Sequence, residues 1–204
     1  MTKRPPLHIV KSHKGLKALV SAARLEVADA LAEMGTVSVA ALAATLGRPA
    51  DALYFHLRAL VRAGLARQAG YRLRGQRKEA LFETVADELK LDYRQPLKAN
   101  RNAVSAIVAS MLRLGIRDFR RAFQEAGGGT IVVSGPRREL WALRKAGRLS
   151  PAKVRRINRS IHGLLRAMAK PNGKGRLYAI TVLLTPVDRQ RKSAKGLGRK
   201  GKKT

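Results

Sequence analysis

The hydrophobic positions of the chain fall first into a long helical run. Leu16, Leu19, Val20, Ala23, Val27, Ala30, Leu31 and Met34 keep the spacing of one buried helical face, and Gly35 closes the run. The spacing predicts a single supporting helix, with Arg24, Glu26, Asp29 and Glu33 on a solvated polar side. Val39, Leu42, Ala43 and Leu46 then repeat the pattern over two turns. Gly47 tolerates the left-handed conformation that ends a helix, and Pro49 suits an opening turn, where its missing N–H is no loss. Leu53, Leu57, Leu60 and Val61 give the next helix its own stripe, which leaves Ala50, Asp51, Tyr54, Phe55 and Arg58 on the far face.

Two short amphipathic helices around a glycine turn, from Val37 to Leu65, predict a helix-turn-helix. In that motif the outward face of the second helix enters the major groove. Residues 66–85 carry glycines at 70 and 75 within a basic loop, flanked by strand-like segments near Leu65 to Gln68 and near Glu79 to Thr84. Two strands closed by a loop bearing Arg72, Arg74, Arg77 and Lys78 predict a wing that touches phosphates or the minor groove. A solvated hairpin with surface arginines is the plainer alternative.

The acid-rich run ADELKLDY followed by Pro96 marks a composition shift. It is taken as the boundary between a DNA-binding domain over 15–92 and a second domain over 93–188. In the second domain Asn100 to Ala126 reads as a long helix with a broad apolar face: Val104, Ile107, Val108, Met111, Leu112, Phe119 and Phe123. Gly127 to Gly129 reads as a flexible connection into a short strand, Ile131 to Ser134. No Gly-Lys-Ser or Gly-Lys-Thr follows, so a phosphate loop is not indicated. Trp141 is expected to anchor the core. Ser150 and Pro151 start another helix, striped by Val154, Ile157, Ile161, Leu164, Leu165 and Met168, with Lys153, Arg156, Arg159 and Arg166 toward its other side. RLYAITVLLT, ended by Pro186, is the most strand-like segment of the chain. The fold class is therefore mainly α (α+β): an N-terminal winged helix-turn-helix domain followed by a helical C-terminal domain with a small β element. The second domain is read as serving dimerisation or sensing of an apolar effector, although no residue pattern specifies one.

Charge turns these elements toward a polyanion. Forty-three Lys and Arg against 13 Asp and Glu leave +30 over 204 residues, with a pI near 11.7. Nucleic acid leads as partner, ahead of an acidic membrane surface. From Gly35 to Lys78 there are eight basic residues and one acid, Asp51. Residues 1–14, with four basic residues and two prolines, are expected to form a flexible basic arm. Residues 189–204, half of them Lys or Arg, are expected to form a disordered basic tail that adds non-specific affinity.

The absence of cysteine removes disulfides, thiolate metal sites and a cysteine nucleophile. His8, His13, His56 and His162 are too scattered to surround one ion, so no metal or other cofactor is expected. Aromatic content of 4% argues against a base-stacking single-strand binder. The N-terminus lacks an apolar run of signal-peptide length, and no stretch approaches the roughly 18 apolar residues of a membrane span. A cytoplasmic, nucleoid-associated protein is expected. No catalytic constellation is visible, and an enzyme is not expected.

The run ARLEVADALAEMGTVSVAALAATLGRPADALYFHLRALVRAGL, followed by a basic hairpin, resembles the winged-helix domain of ArsR-type bacterial transcriptional regulators. Their recognition helix ends in the pattern hydrophobic-X-X-His-Leu-X-X-Leu-X-X-Ala-Gly-Leu, matched by Leu53, His56, Leu57, Leu60, Ala63, Gly64 and Leu65. The resemblance covers roughly Leu16 to Val85. It implies a homodimer that binds an operator with two half-sites. Two departures stand out. The cysteine pairs or His and carboxylate clusters of metal-sensing members are missing. Pro49, Ala50, Asp51 and Ala52 also stand where polar base readers are common. Readout of double-stranded DNA is assigned to Arg48, Ala50, Asp51, Tyr54, Phe55 and Arg58, with Arg72, Arg74, Arg77 and Lys78 on the wing. The leading expectation is a repressor-type homodimeric regulator. The alternatives are an architectural DNA-binding protein of low sequence specificity and a platform for RNA.

Overall fold

The computed structural model describes residues 4–168 and 175–187. The tail at 189–204 lies outside the described residues. The supporting helix is two helices, α1 (His13–Leu19) and α2 (Ala22–Met34), because Ser21 adopts an extended conformation between them. The break is stabilised from both sides. The Arg24 guanidinium donates to the Ala18 and Lys17 carbonyls at the end of α1, and the buried Ser110 hydroxyl donates to the Val20 carbonyl at 2.6 Å. Carbonyls left free at a helix end are thus partnered by side chains. Arg24 and Glu26, expected on a merely solvated face, are both engaged.

The motif itself follows its periodicity. Helix α3 (Val39–Leu46) ends at Gly47, whose φ of 60° is the left-handed cap, with its N–H donating to the Ala43 carbonyl. Helix α4 (Ala50–Arg62) buries Leu53, Leu57 and Leu60 against α2 and α3. Val61, expected within that stripe, is exposed.

The wing is longer than its sequence signals indicate. Strand β3 (Ala66–Arg74) and strand β4 (Arg77–Thr84) pair antiparallel, with β2 (Val37–Ser38) on the other side of β4. The register shifts between Gln68 and Gly70, and Gly75, at φ 59°, opens the two-residue turn. The four basic residues expected in a loop thus lie on strands, with Arg74 opposite Arg77.

Strand β1 (Leu7–Val10) runs parallel to β5 (Glu88–Leu91), so Leu7 to Val10 are not a flexible arm. Arg4 supports this placement through Asp87 at 3.1 Å and Thr84 at 3.2 Å. The start of the acid-rich run belongs to this packing too, since Ala86 is buried and β5 (Glu88–Leu91) follows it. Helix α5 (Lys98–Ala126) then returns across α1 and α2 and places Ala103 and Ile107 in the same core as Leu16, Leu31 and Leu57. Its start is fixed by Asn100, which donates to Gln95 and lies 2.8 Å from His13 Nδ1.

No described residue after Ser110 is buried. Helix α6 (Pro151–Met168) starts where expected, but its apolar stripe has no partner among the described residues that buries it. Residues 131–134 and 176–185, expected as strands, join no ladder, and Trp141, expected in the core, is 66% exposed. Half-buried Phe119 and exposed Phe123 stack on each other at 5.9 Å on the distal part of α5. The molecule is mainly α with a small sheet.

Candidate nucleic-acid interface

The outward face of α4 carries Asp51, Tyr54, Phe55, Arg58 and Arg62, which line a shallow depression of about 430 Å³. This face is fixed by the opposite one: burying Leu53, Leu57 and Leu60 forces the intervening positions outward. Phe55 is 62% exposed beside Tyr54, at 37%. Its ring meets His56 edge-on at 5.5 Å. Asp51 lies in the first turn of α4, where a carboxylate complements the positive helix end. Ala50 is exposed at the same end.

A second concavity, of about 510 Å³, separates α4 from the wing and is lined by Tyr54, Tyr71, Arg74, Lys78, Glu79 and Ala80. It brings residues from the recognition helix and both long wing strands onto one surface. Lys78 Nζ lies 4.4 Å from the Tyr71 ring centroid, a cation–π contact that holds the ammonium over the cleft. Leu73, opposite Lys78 in the ladder, is 77% exposed near the wing turn. Tyr71, Leu73 and Arg62 were not among the residues expected from sequence. The alternation of β3, Tyr71 and Leu73 to one side and Arg72 to the other, is the signal that finds the first two.

Two expected contacts are engaged inside the fold instead. Arg48 Nη2 lies 2.5 Å from Glu26 Oε2. Arg72 pairs with Glu79 at 2.8 Å and donates to Ser38 Oγ at 3.0 Å. Ser38 Oγ also accepts from the Ala41 N–H as the N-cap of α3, so Arg72 ties the wing to the helix-turn-helix. Hydrogen bonds from Ser38 and Arg72 hold the Glu79 carboxyl below its usual range. Arg58, Arg74 and Lys78 are exposed, and Arg77 opens β4, its side chain lying outside the described part.

Burial, aided by the positive charges of Arg24 and Arg48, lowers the pKa of His56. Its Nδ1 is buried without a hydrogen-bond partner. Among the described residues no group of three His, Asp or Glu side chains is placed to hold a metal ion, and no helix is long and apolar enough to cross a membrane.

Comparison with known protein families matches a helix-turn-helix domain over residues 19–69. The matched span runs from the end of α1 into the first residues of β3 and so includes both helices of the motif. No curated protein matches the chain. The match supports a DNA-binding helix-turn-helix regulator.

Proposed function

We propose that this chain is a homodimeric, repressor-type transcriptional regulator of the ArsR-like winged-helix kind, binding double-stranded DNA. In this reading the exposed face of α4 enters the major groove. The wing follows the adjacent backbone or minor groove through Arg74, Arg77 and Lys78. The observation that carries it is the continuous exposed surface from Asp51, Tyr54, Phe55 and Arg58 across the cleft to Tyr71, Arg74 and Lys78. It combines cations for phosphate with apolar side chains for thymine methyls.

Direct readout falls to Ala50, Asp51, Tyr54, Phe55 and Arg58, while Arg48 and Arg72 act from behind as braces. The dimer reading draws on the apolar side chains after Ser110, none of which is buried among the described residues. The domain limits at 15–92 and 93–188 belong to the same proposal, with α5 connecting the two.

Selection of bound fragments from random DNA tests the reading. An enriched motif with two half-sites about one or more helical turns apart is the expected outcome. Retention of DNA without any enriched motif would assign an architectural role instead, and retention of structured RNA over duplex DNA would overturn both.

A further inference from the structure

The segment Leu177 to Val187, LYAITVLLTPV, contains no charged residue in a chain of net charge +30. Tyr178, Ile180, Val182 and Leu184 alternate with Leu177, Ala179, Thr181 and Leu183, so both sides are largely apolar. That composition belongs to strands covered on both faces. Here every residue is exposed, and the segment forms no helix and joins no ladder with another described strand.

The segment is nevertheless positioned. Glu139, the one acid between residues 126 and 187, accepts from the Tyr178 hydroxyl and pairs with Arg176 at 3.2 Å. Farther along, Thr181 crosses α5 at Gly115, where an added Cβ would meet Thr181 Oγ1 at 3.1 Å. An apolar, strand-like segment whose backbone groups join no ladder among the described residues is thus presented at a fixed place, without the lysines, bulges or covering helix that normally protect edges.

The chain's own remaining residues are poor cover. Residues 188–204 contain eight Lys and Arg and one large apolar side chain, Leu197. A second copy of the same segment is suited to it, because neutral meets neutral and no like charges are brought together. Resting on the homodimer reading, we propose that Leu177–Val187 pairs with its counterpart in a second copy as neighbouring antiparallel strands across a two-fold axis. An isologous contact of one segment with itself requires that antiparallel arrangement. The unpartnered stripe of α6, with Leu164 and Leu165 each 48% exposed, is then available to cover the joined sheet.

The natural absence of cysteine makes the test direct. Light scattering should give the full chain twice its 22.3 kDa mass. In a series of single-cysteine variants from 177 to 185, oxidation should link copies at the one or two positions nearest the axis, where Cα atoms lie within disulfide reach, and not at a control cysteine replacing Leu73. Val182→Lys combined with Leu184→Lys should yield a monomer with unchanged far-ultraviolet helix signal. A monomeric unmodified chain overturns the proposal, as does a dimer that links at none of these positions. A monomer that binds anionic vesicles also overturns it and assigns the surface to lipid. Binding of a short random-sequence duplex, measured on the same samples, separates failure of this interface from failure of the DNA reading. A monomeric lysine variant that still binds duplex leaves the DNA reading intact.

Discussion

Arg48 and Glu26 face each other at 2.5 Å, and the same carboxylate holds Arg117 of α5 at 2.6 Å. One acid on α2 therefore joins the turn of the DNA-binding motif to the long helix that leaves the domain. It also keeps a guanidinium beside the recognition helix from reaching phosphate. Glu26→Gln should release Arg48 and raise affinity for random duplex DNA a few-fold. The slope of log K against log salt should steepen by about 0.9 for each phosphate newly neutralised. The melting temperature should fall slightly, as expected for partly exposed ion pairs worth about 1 kcal/mol or less each. An unchanged salt slope would show that Arg48 does not reach the backbone even when free.

Phe55 and Leu57 are two positions apart on α4 with opposite surroundings, 62% and 0% exposed. Leu57→Ala should cost about 2–5 kcal/mol of stability through lost burial and the cavity left behind. Phe55→Ala should leave the denaturation midpoint within about 0.5 kcal/mol of the parent, yet reduce discrimination between selected and random duplexes. Equal stability losses in the two variants would mean that Phe55 is a packing residue and not part of the interface.

The wing cations should separate into two classes. Arg74 and Lys78 line the cleft. Replacing either by alanine should weaken binding to all duplexes alike and flatten the salt slope by about 0.9 for each phosphate no longer neutralised. Arg72→Ala removes the tie to Glu79 and Ser38. It should therefore speed amide exchange in β3, β4 and the first turn of α3 before any DNA is added. If all three behave alike in exchange, the brace assigned to Arg72 is wrong.

Much of the helix-turn-helix was legible because the stripe of Leu53, Leu57 and Leu60 and the cap at Gly47 are local signals, complete within a few residues. Mainly α architecture with a small sheet follows from the same signals. The pairings that change the picture are long-range. Arg48 meets a carboxylate 22 positions earlier, Arg72 meets a hydroxyl 34 positions away, and β1 finds β5 across about 80 residues. Nothing in spacing reports such partners, so Arg48 and Arg72 look like free cations in the sequence. The split of the supporting helix depends on Arg24 folding back onto α1 and on Ser110 arriving from α5. Val154, Ile157 and Ile161 mark a stripe on α6 correctly, but a stripe states only that a face wants cover and not what supplies it.

Two groups near the motif should give stability opposite dependences on pH. His56 titrates at 6.5 when unperturbed, and burial, with Arg24 and Arg48 nearby, lowers that value in the folded chain. Below about pH 6.5 the unfolded chain takes up a proton that the folded chain resists, so stability falls as pH drops. Asp29 is shifted from 3.8 to about 6, first by desolvation from the groups packed around it and then by the charges of Glu26 and Asp118. Between those values the folded chain keeps a proton that the unfolded chain releases. The stabilisation from Asp29 is thus full below about 3.8 and lost as pH rises through 6. His56→Leu should flatten the decline in melting temperature between about pH 7 and pH 5, while Asp29→Asn should raise it at neutral pH with a gain that vanishes near pH 4. Thermal melts across that range check both slopes. A His56→Leu protein that keeps the full acid decline would place the responsible proton elsewhere.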